Sequence, residues 1–230
     1  MNYGTRSLDD WDRWAPWYAL WLAHCDYHRP VKNLLVERVR PGWRVLDAGG
    51  GTGVLSLFLH NLGCRPVLLE PAPAMRSMFI RASGGSRPGG VEIEASRWED
   101  LPFQRLAGFD LILACNSFHV TSLGIARSLD KTFAARPDHV CFVAEDPHLA
   151  DAGLRSPSAY ELVLAEKIAV ENSWVYHTEV QALAHAQFRK GGLLSAEDSN
   201  AVLDGLVFED GHYRLRENAS VRLHWWTRVH

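Results

Sequence analysis

Apolar residues in this chain gather into short runs separated by glycine-rich or polar breaks. Trp43–Leu46, Val67–Leu69, Phe109–Ala114 and His139–Glu145 are compact and β-prone, as strands are. Val91-Glu92-Ile93-Glu94-Ala95 alternates apolar and acidic positions, the strand period of two. Val54–Leu59 reads instead as the opening of a helix. Ser83–Gly90 is rich in glycine and serine and predicts a surface loop. From Pro157 to His185, Leu162, Ala165, Ile168 and Ala169 keep helical spacing and predict a long helix or a helix pair. Two strand-like runs flank an Asp210-Gly211 turn, and Val221–Arg228 alternates as a strand would. Near the start, Trp11, Trp14, Trp17 and Trp21 keep a three- or four-residue spacing and line one helix face. Pro16 is expected to break or start a helix there.

The richest chemistry lies where the first strand meets the first helix, at Asp47-Ala48-Gly49-Gly50-Gly51-Thr52-Gly53. A strand, a tight glycine turn and a helix opening form the architecture of a nucleotide-cofactor site. The dinucleotide fingerprint needs glycine or alanine at the position that Val54 occupies, which makes a nicotinamide-dependent oxidoreductase a distant alternative. The spacing that fits is D-x-G-x-G-x-G, with Asp47 leading Gly49, Gly51 and Gly53. It resembles motif I of the class I S-adenosylmethionine-dependent methyltransferases. The resemblance implies that the turn lies under the methionine part of the cofactor and that Asp47 helps hold its ammonium end. Glu70 follows the turn by about 20 residues, where a ribose-binding carboxylate is placed. One carboxylate can accept from both ribose hydroxyls. Glu70-Pro71-Ala72-Pro73-Ala74-Met75 is similar to the family's acid-x-x-x-x-Met pattern, which puts Met75 near the adenine.

Two further landmarks carry the likeness. Arg97-Trp98-Glu99-Asp100-Leu101-Pro102-Phe103 is similar to the family's loop after strand three, although many members carry an Asp near Arg97. An arginine cannot accept a hydrogen bond from the adenine amino group. Adenine recognition then falls to backbone groups or stacking, and Trp98 is either the stacking face or a core residue. Cys115-Asn116-Ser117-Phe118-His119 resembles motif IV, between cofactor and substrate, with Asn116 and His119 facing the site. The resemblance spans Trp43 to Asp146.

It implies an α/β fold, a three-layer sandwich around a mostly parallel seven-stranded sheet with an antiparallel last strand. We expect a single domain: a helical cap over 1–40, a cofactor core over 41–148, a helical substrate-side insertion after strand five over 149–204, and closing strands over 205–230. His119 is the first candidate for a general base and His148 the second, each also readable as a loop histidine that only hydrogen-bonds. Tyr18 is the aromatic residue expected at the substrate, followed by Trp21. His177, Glu179 and His185 are read as surface or packing residues, and no metal is expected.

Composition narrows the partners. The 230 residues are enough for one sizeable α/β core, and a net charge of −3 gives no basic nucleic-acid footprint. Cys25, Cys64, Cys115 and Cys141 are far apart and lack a C-x-x-C, so neither zinc nor a disulfide framework is expected. No segment reads as a signal peptide or a membrane span, which predicts a cytoplasmic protein without a membrane partner; a monomer or homodimer is expected. Cys115-Asn116-Ser117-Phe118 stands where nucleic-acid and some protein amino-group methyltransferases carry Asn/Asp-Pro-Pro-Tyr/Phe. The expected acceptor is therefore a small molecule, with S-adenosyl-L-methionine consumed and S-adenosyl-L-homocysteine released. A protein side chain or other macromolecule is the alternative, and a cofactor-binding protein without transfer activity is the third reading.

Overall fold

A computed structural model describes residues 8–84, 90–149 and 154–229. The chain divides into two compact units, one of Met1–Ala15, His28–Ile168 and Ser220–His230, the other of Pro16–Tyr27 and Ala169–Ala219. The elements run α1 (Leu8–His24), α2 (Arg29–Arg38), β1 (Arg44–Ala48), α3 (Val54–Asn61), β2 (Arg65–Leu69), α4 (Pro73–Ala82), β3 (Glu92–Glu94), β4 (Leu111–Cys115), α5 (Gly124–Ala134), β5 (His139–Glu145), α6 (Asp146–Leu149) and β6 (Tyr160–Glu171). They continue with β7 (Trp174–Tyr176), α7 (Glu179–Lys190), α8 (Ala196–Asp204), β8 (Leu206–Glu209), β9 (His212–Leu215) and β10 (Asn218–Arg228).

The first unit is built on a seven-stranded sheet of order β3-β2-β1-β4-β5-β10-β6. Neighbours from β3 to β5 run parallel, and β10 is antiparallel to β5 in the register Val221↔Glu145 to Thr227↔His139. This is the methyltransferase fold class expected from the sequence. β1 sits between β2 and β4, so the chain reverses its direction of travel across the sheet there. In open α/β sheets ligands enter the crevice beyond the carboxyl ends of strands at such a switch point.

Both sheet faces are buried, which is why the central strands are apolar at consecutive positions. On one face Leu46, Ile112, Ala114 and Phe142 pack with Ile125, Leu129 and Phe133, spaced along α5 as a helical stripe. On the other, Asp47 of β1 meets Ser56 of α3, and Leu68 of β2 packs with Phe79 of α4 and Val91. The second unit holds the three-stranded sheet β7-β9-β8. Its β8–β9 hairpin turns at Asp210 (φ 52°) and Gly211 (φ 77°), as the Asp-Gly pair predicts.

Two local expectations are corrected. The stretch from Pro157 to His185 is strands β6 and β7 followed by the start of α7, not a long helix. Its apparent helical stripe is not buried: Leu162 is 41% exposed and Ala165 and Ala169 are exposed, while Tyr160 and Val170 are buried. β6 is the edge strand beside β10, where pairing with a neighbour overrides a weak helical period. Helices do follow, as α7 and α8, in the second unit. Pro16 lies inside α1 and does not end it. A proline removes one helical N–H bond, and buried Ala15 and Trp21 hold the segments on either side of it.

One stability prediction arises here. Gly53 precedes α3 at φ 74°, and an added Cβ would lie 2.2 Å from the buried Phe79 ring. Left-handed strain and overpacking act together, so Gly53→Ala is expected to destabilise the protein by about 2–4 kcal/mol. Urea denaturation checks this; an unchanged midpoint would contradict the packing.

Candidate cofactor site

The turn after β1 closes on the neighbouring strand. Gly49 N–H and Gly50 N–H both donate to the Leu69 carbonyl at the end of β2, at 2.8 and 3.2 Å. Gly49, Gly51 and Gly53 have φ of 70°, 58° and 74°, a region that side chains disfavour. A Cβ on Gly49 would lie 2.5 Å from Ser117 Cβ, and one on Gly50 would lie 2.5 Å from Asp47 Oδ2. Gly49 and Gly53 are thus fixed by both backbone conformation and close approach, Gly51 by conformation and Gly50 by close approach.

Two buried carboxylates frame the turn. Asp47 is 1% exposed; its Oδ2 accepts from the Ser56 hydroxyl at 2.7 Å, while buried Oδ1 has no partner among the described residues. Burial raises its pKa to about 6. An orphaned carboxylate oxygen costs free energy unless a donor reaches it, and a ligand ammonium is such a donor. Glu70, just past β2, accepts from Gly51 N–H on Oε2 at 2.9 Å and from Ala72 N–H on Oε1 at 2.7 Å. Each oxygen keeps a second lone-pair direction, enough for two ribose hydroxyls. Burial pushes Glu70 up to about 7, against the opposing pull of those two N–H groups. The residues present fit the methionine and ribose parts of S-adenosylmethionine.

This yields a pH prediction. A ribose that donates to Glu70 favours its ionised form, which dominates above about pH 7. Affinity for S-adenosylhomocysteine should therefore rise between pH 6 and pH 8, with proton release on binding below pH 7. Calorimetry in buffers of different ionisation enthalpy measures it, and Glu70→Gln should weaken binding and remove this pH component.

The remaining predicted residues fall as follows. Ala48 and Met75 are buried, Met75 in the first turn of α4, and Pro71 is half-buried beside Glu70. Arg97 is exposed. Trp98 is 4% exposed and belongs to the core, with its ring 5.1 Å from Phe118. Lys131 Nζ lies 5.2 Å over that ring and donates to the carbonyls of Trp98, Glu99 and Leu101. Cys115 ends β4 with its thiol raised well above the ordinary value by burial, so it stays protonated. Asn116 has φ 50°, and its Oδ1 accepts from Glu145 N–H at 3.1 Å, tying the end of β4 to the end of β5.

The two candidate bases meet. His119 lies on a short 3-10 turn, Phe118–Val120, after β4; His148 lies on α6, after β5. Their rings stack with centroids 3.9 Å apart and planes 9° apart. Burial lowers the His148 pKa, which keeps its imidazole neutral near pH 7.

Tyr18 and Trp21 belong to the second unit. There Trp21 is 7% exposed; its indole donates to Asn172 Oδ1 at 2.8 Å and its ring packs with Tyr18, Tyr27 and Trp174. His185 is also in that unit's interior, bonded through Nδ1 to Tyr176 Oη at 2.8 Å and stacked on Trp17, and burial lowers its pKa to about 3. His177, between β7 and α7, and Glu179, the first residue of α7, are exposed.

Sequence reading missed four supporting residues. Ser56 orients Asp47, Ser117 backs Gly49, Lys131 staples the loop after β3, and Asp12 Oδ1 accepts from Ala74 N–H at the start of α4. A hydroxyl one turn into the helix after the glycine turn was a legible signal for Ser56. The other three depend on contacts between distant segments.

Comparison with known proteins agrees with this geometry. Residues 45–135 match the family model for a methyltransferase domain. The ribosomal protein L11 methyltransferase of Thermus thermophilus is 30% identical over 102 residues, 43% of this chain and 38% of that protein. The match thus spans well under half of the curated relative's length. A TehB-like S-adenosylmethionine-dependent methyltransferase from Corynebacterium glutamicum aligns over 96% of this chain and 98% of its own, with a TM-score of 0.55 and 12% identity. A candidate RNA methyltransferase from Pyrococcus horikoshii aligns over 87% and 83%, with a TM-score of 0.54 and 15% identity. At such identities the structural likeness speaks for the fold.

Proposed function

We propose that this chain, whose residues 45–135 match the family model for a methyltransferase domain, transfers a methyl group from S-adenosylmethionine to a small-molecule acceptor by in-line displacement. The observation that carries the reading is the pair of buried carboxylates around the glycine turn. Asp47 holds an unpartnered oxygen toward a cation, and Glu70 keeps acceptor capacity beside Gly51. The bound donor supplies a methyl group already made electrophilic by its sulfonium. The protein's task is to hold the acceptor in line and to remove its proton where it carries one. Asn116, held by its bond to Glu145, stands at the end of β4 for positioning. His119 takes the proton, and neutral His148 stacked on it shields the ring from water and offers a second acceptor.

The absence of an Asn/Asp-Pro-Pro-Tyr/Phe run at Cys115-Asn116-Ser117-Phe118 and the net charge of −3 favour a small acceptor over a nucleic acid. No helix among the described residues is long and apolar enough to cross a membrane; a cytoplasmic monomer or homodimer is part of the proposal. A protein side chain is the second reading, favoured by the name of the curated relative.

The test uses S-adenosylmethionine carrying a radiolabelled methyl group, offered with a small-metabolite extract and separately with ribosomal protein and RNA. Label in the small-molecule fraction supports the first reading, and label in protein supports the second. Label in neither, with donor bound, would leave a binding protein without transfer.

A further inference from the structure

The first unit contains a cavity of about 540 Å³, lined by Asp146, Leu149, Leu154, Ser156, Leu162, Arg222, His224 and Trp226. None of these residues belongs to the glycine turn or the carboxylate pair. Arg222, His224 and Trp226 alternate along β10 and so project from one face of the sheet, opposite Ala144, Phe142 and Val140 of β5. Over this part of the face the lining comes from α6, the edge strand β6 and residues 154–156.

The chemistry of the walls is mixed. Leu149, Leu154, Leu162 and Trp226 give apolar surface. His224 stacks on Trp226 at 5.4 Å with planes 16° apart, and on Phe142 at 6.1 Å with planes 28° apart. Trp226 is 1% exposed, so the stack closes the floor of the cavity. The Trp226 indole donates to Ser156 Oγ at 2.8 Å, which fixes its orientation. His224 is 7% exposed, its buried Nδ1 has no partner among the described residues, and burial lowers its pKa, so the ring is neutral. Among the described residues Arg222 bonds Asp146 through Nε alone, at 2.6 Å, which leaves the two terminal amino groups of its guanidinium for a ligand. Lys167 also pairs with Asp146. Arg222 and Lys167 thus share the one Asp146 carboxylate.

We propose that this cavity binds a small apolar acid, with its hydrocarbon part against Leu149, Leu154 and Leu162 and its carboxylate on Arg222. Cavities of about 300–1,000 Å³ with apolar walls and a few polar anchors are typical small-molecule sites. An arginine fork matches a carboxylate in a plane. The proposal goes beyond methyl transfer and does not depend on it.

The probe is 2-naphthoate, with neutral 2-naphthamide as its counterpart, titrated by calorimetry into the full chain. We expect one naphthoate per chain, bound at least about tenfold more tightly than the amide. Arg222→Gln should erase that preference. Leu162→Trp fills the mouth from a half-exposed position that tolerates size, and should abolish binding of both compounds. S-adenosylhomocysteine titrated into each variant shows whether the fold and the cofactor site persist. No naphthoate binding at millimolar concentration, equal affinity for acid and amide, or binding untouched by Leu162→Trp would each overturn the proposal, whatever the cofactor result.

Discussion

Gly51→Val is expected to lower affinity for S-adenosylmethionine at least about a hundredfold while the protein still unfolds cooperatively. Gly51 sits at φ 58°, between the two carboxylates, with its N–H on Glu70. A β-branched residue disfavours that left-handed conformation, by about 1–2 kcal/mol for backbone strain alone. Its side chain also stands where the cofactor must pass close to the backbone. Strain distorts the turn and moves the N–H that orients Glu70, so both carboxylates lose their alignment. About 1.4 kcal/mol corresponds to each tenfold loss, and the combined terms reach two such factors. Calorimetric titration alongside thermal unfolding separates lost binding from lost folding. Normal affinity in a folded Gly51→Val protein would remove the turn from the site.

His119→Ala is expected to slow methyl transfer by about 10²–10⁴-fold, the usual contribution of a positioned base, with donor affinity nearly unchanged. The stacked partner gives a control. His148→Phe keeps an aromatic face 3.9 Å from the His119 ring but removes the second proton acceptor. It should retain most of the rate, whereas His148→Ala should lower it by loosening His119. Single-turnover kinetics and the pH profile of the rate read this. A base gives a rate that rises with pH to a plateau; a purely structural histidine gives lower activity with an unchanged profile. Full activity in His119→Ala would assign His119 to packing.

The core was legible because it follows from period and turn chemistry. The apolar runs Trp43–Leu46, Val67–Leu69 and Phe109–Ala114 gave rise to β1, β2 and β4, and Gly49, Gly51 and Gly53 took the backbone angles that only glycine adopts freely. Asp47 and Glu70 were readable because their distance along the chain reports a strand–turn–helix unit. Trp98 was open between two roles, since residue type alone does not tell a core ring from a stacking face. Lys131 and Phe118 decide its surroundings, and both come from later segments. The 160–176 stretch misled because an edge strand carries little burial pattern: Leu162 and Val163 face solvent for about two fifths of their surface. Pro16 misled because tertiary packing held a helix that local propensity would end. The His119–His148 stack could not be read at all, because it joins the ends of two strands through contacts that no local pattern encodes.

The central claim is that the turn between Asp47 and Gly53, with Glu70, holds S-adenosylmethionine. The most direct test titrates the protein calorimetrically with S-adenosylmethionine and S-adenosylhomocysteine, with NADH as control. Micromolar binding of the first two and none of NADH is the predicted result. Failure of both, with NADH bound, would contradict the claim and return the glycine turn to an oxidoreductase.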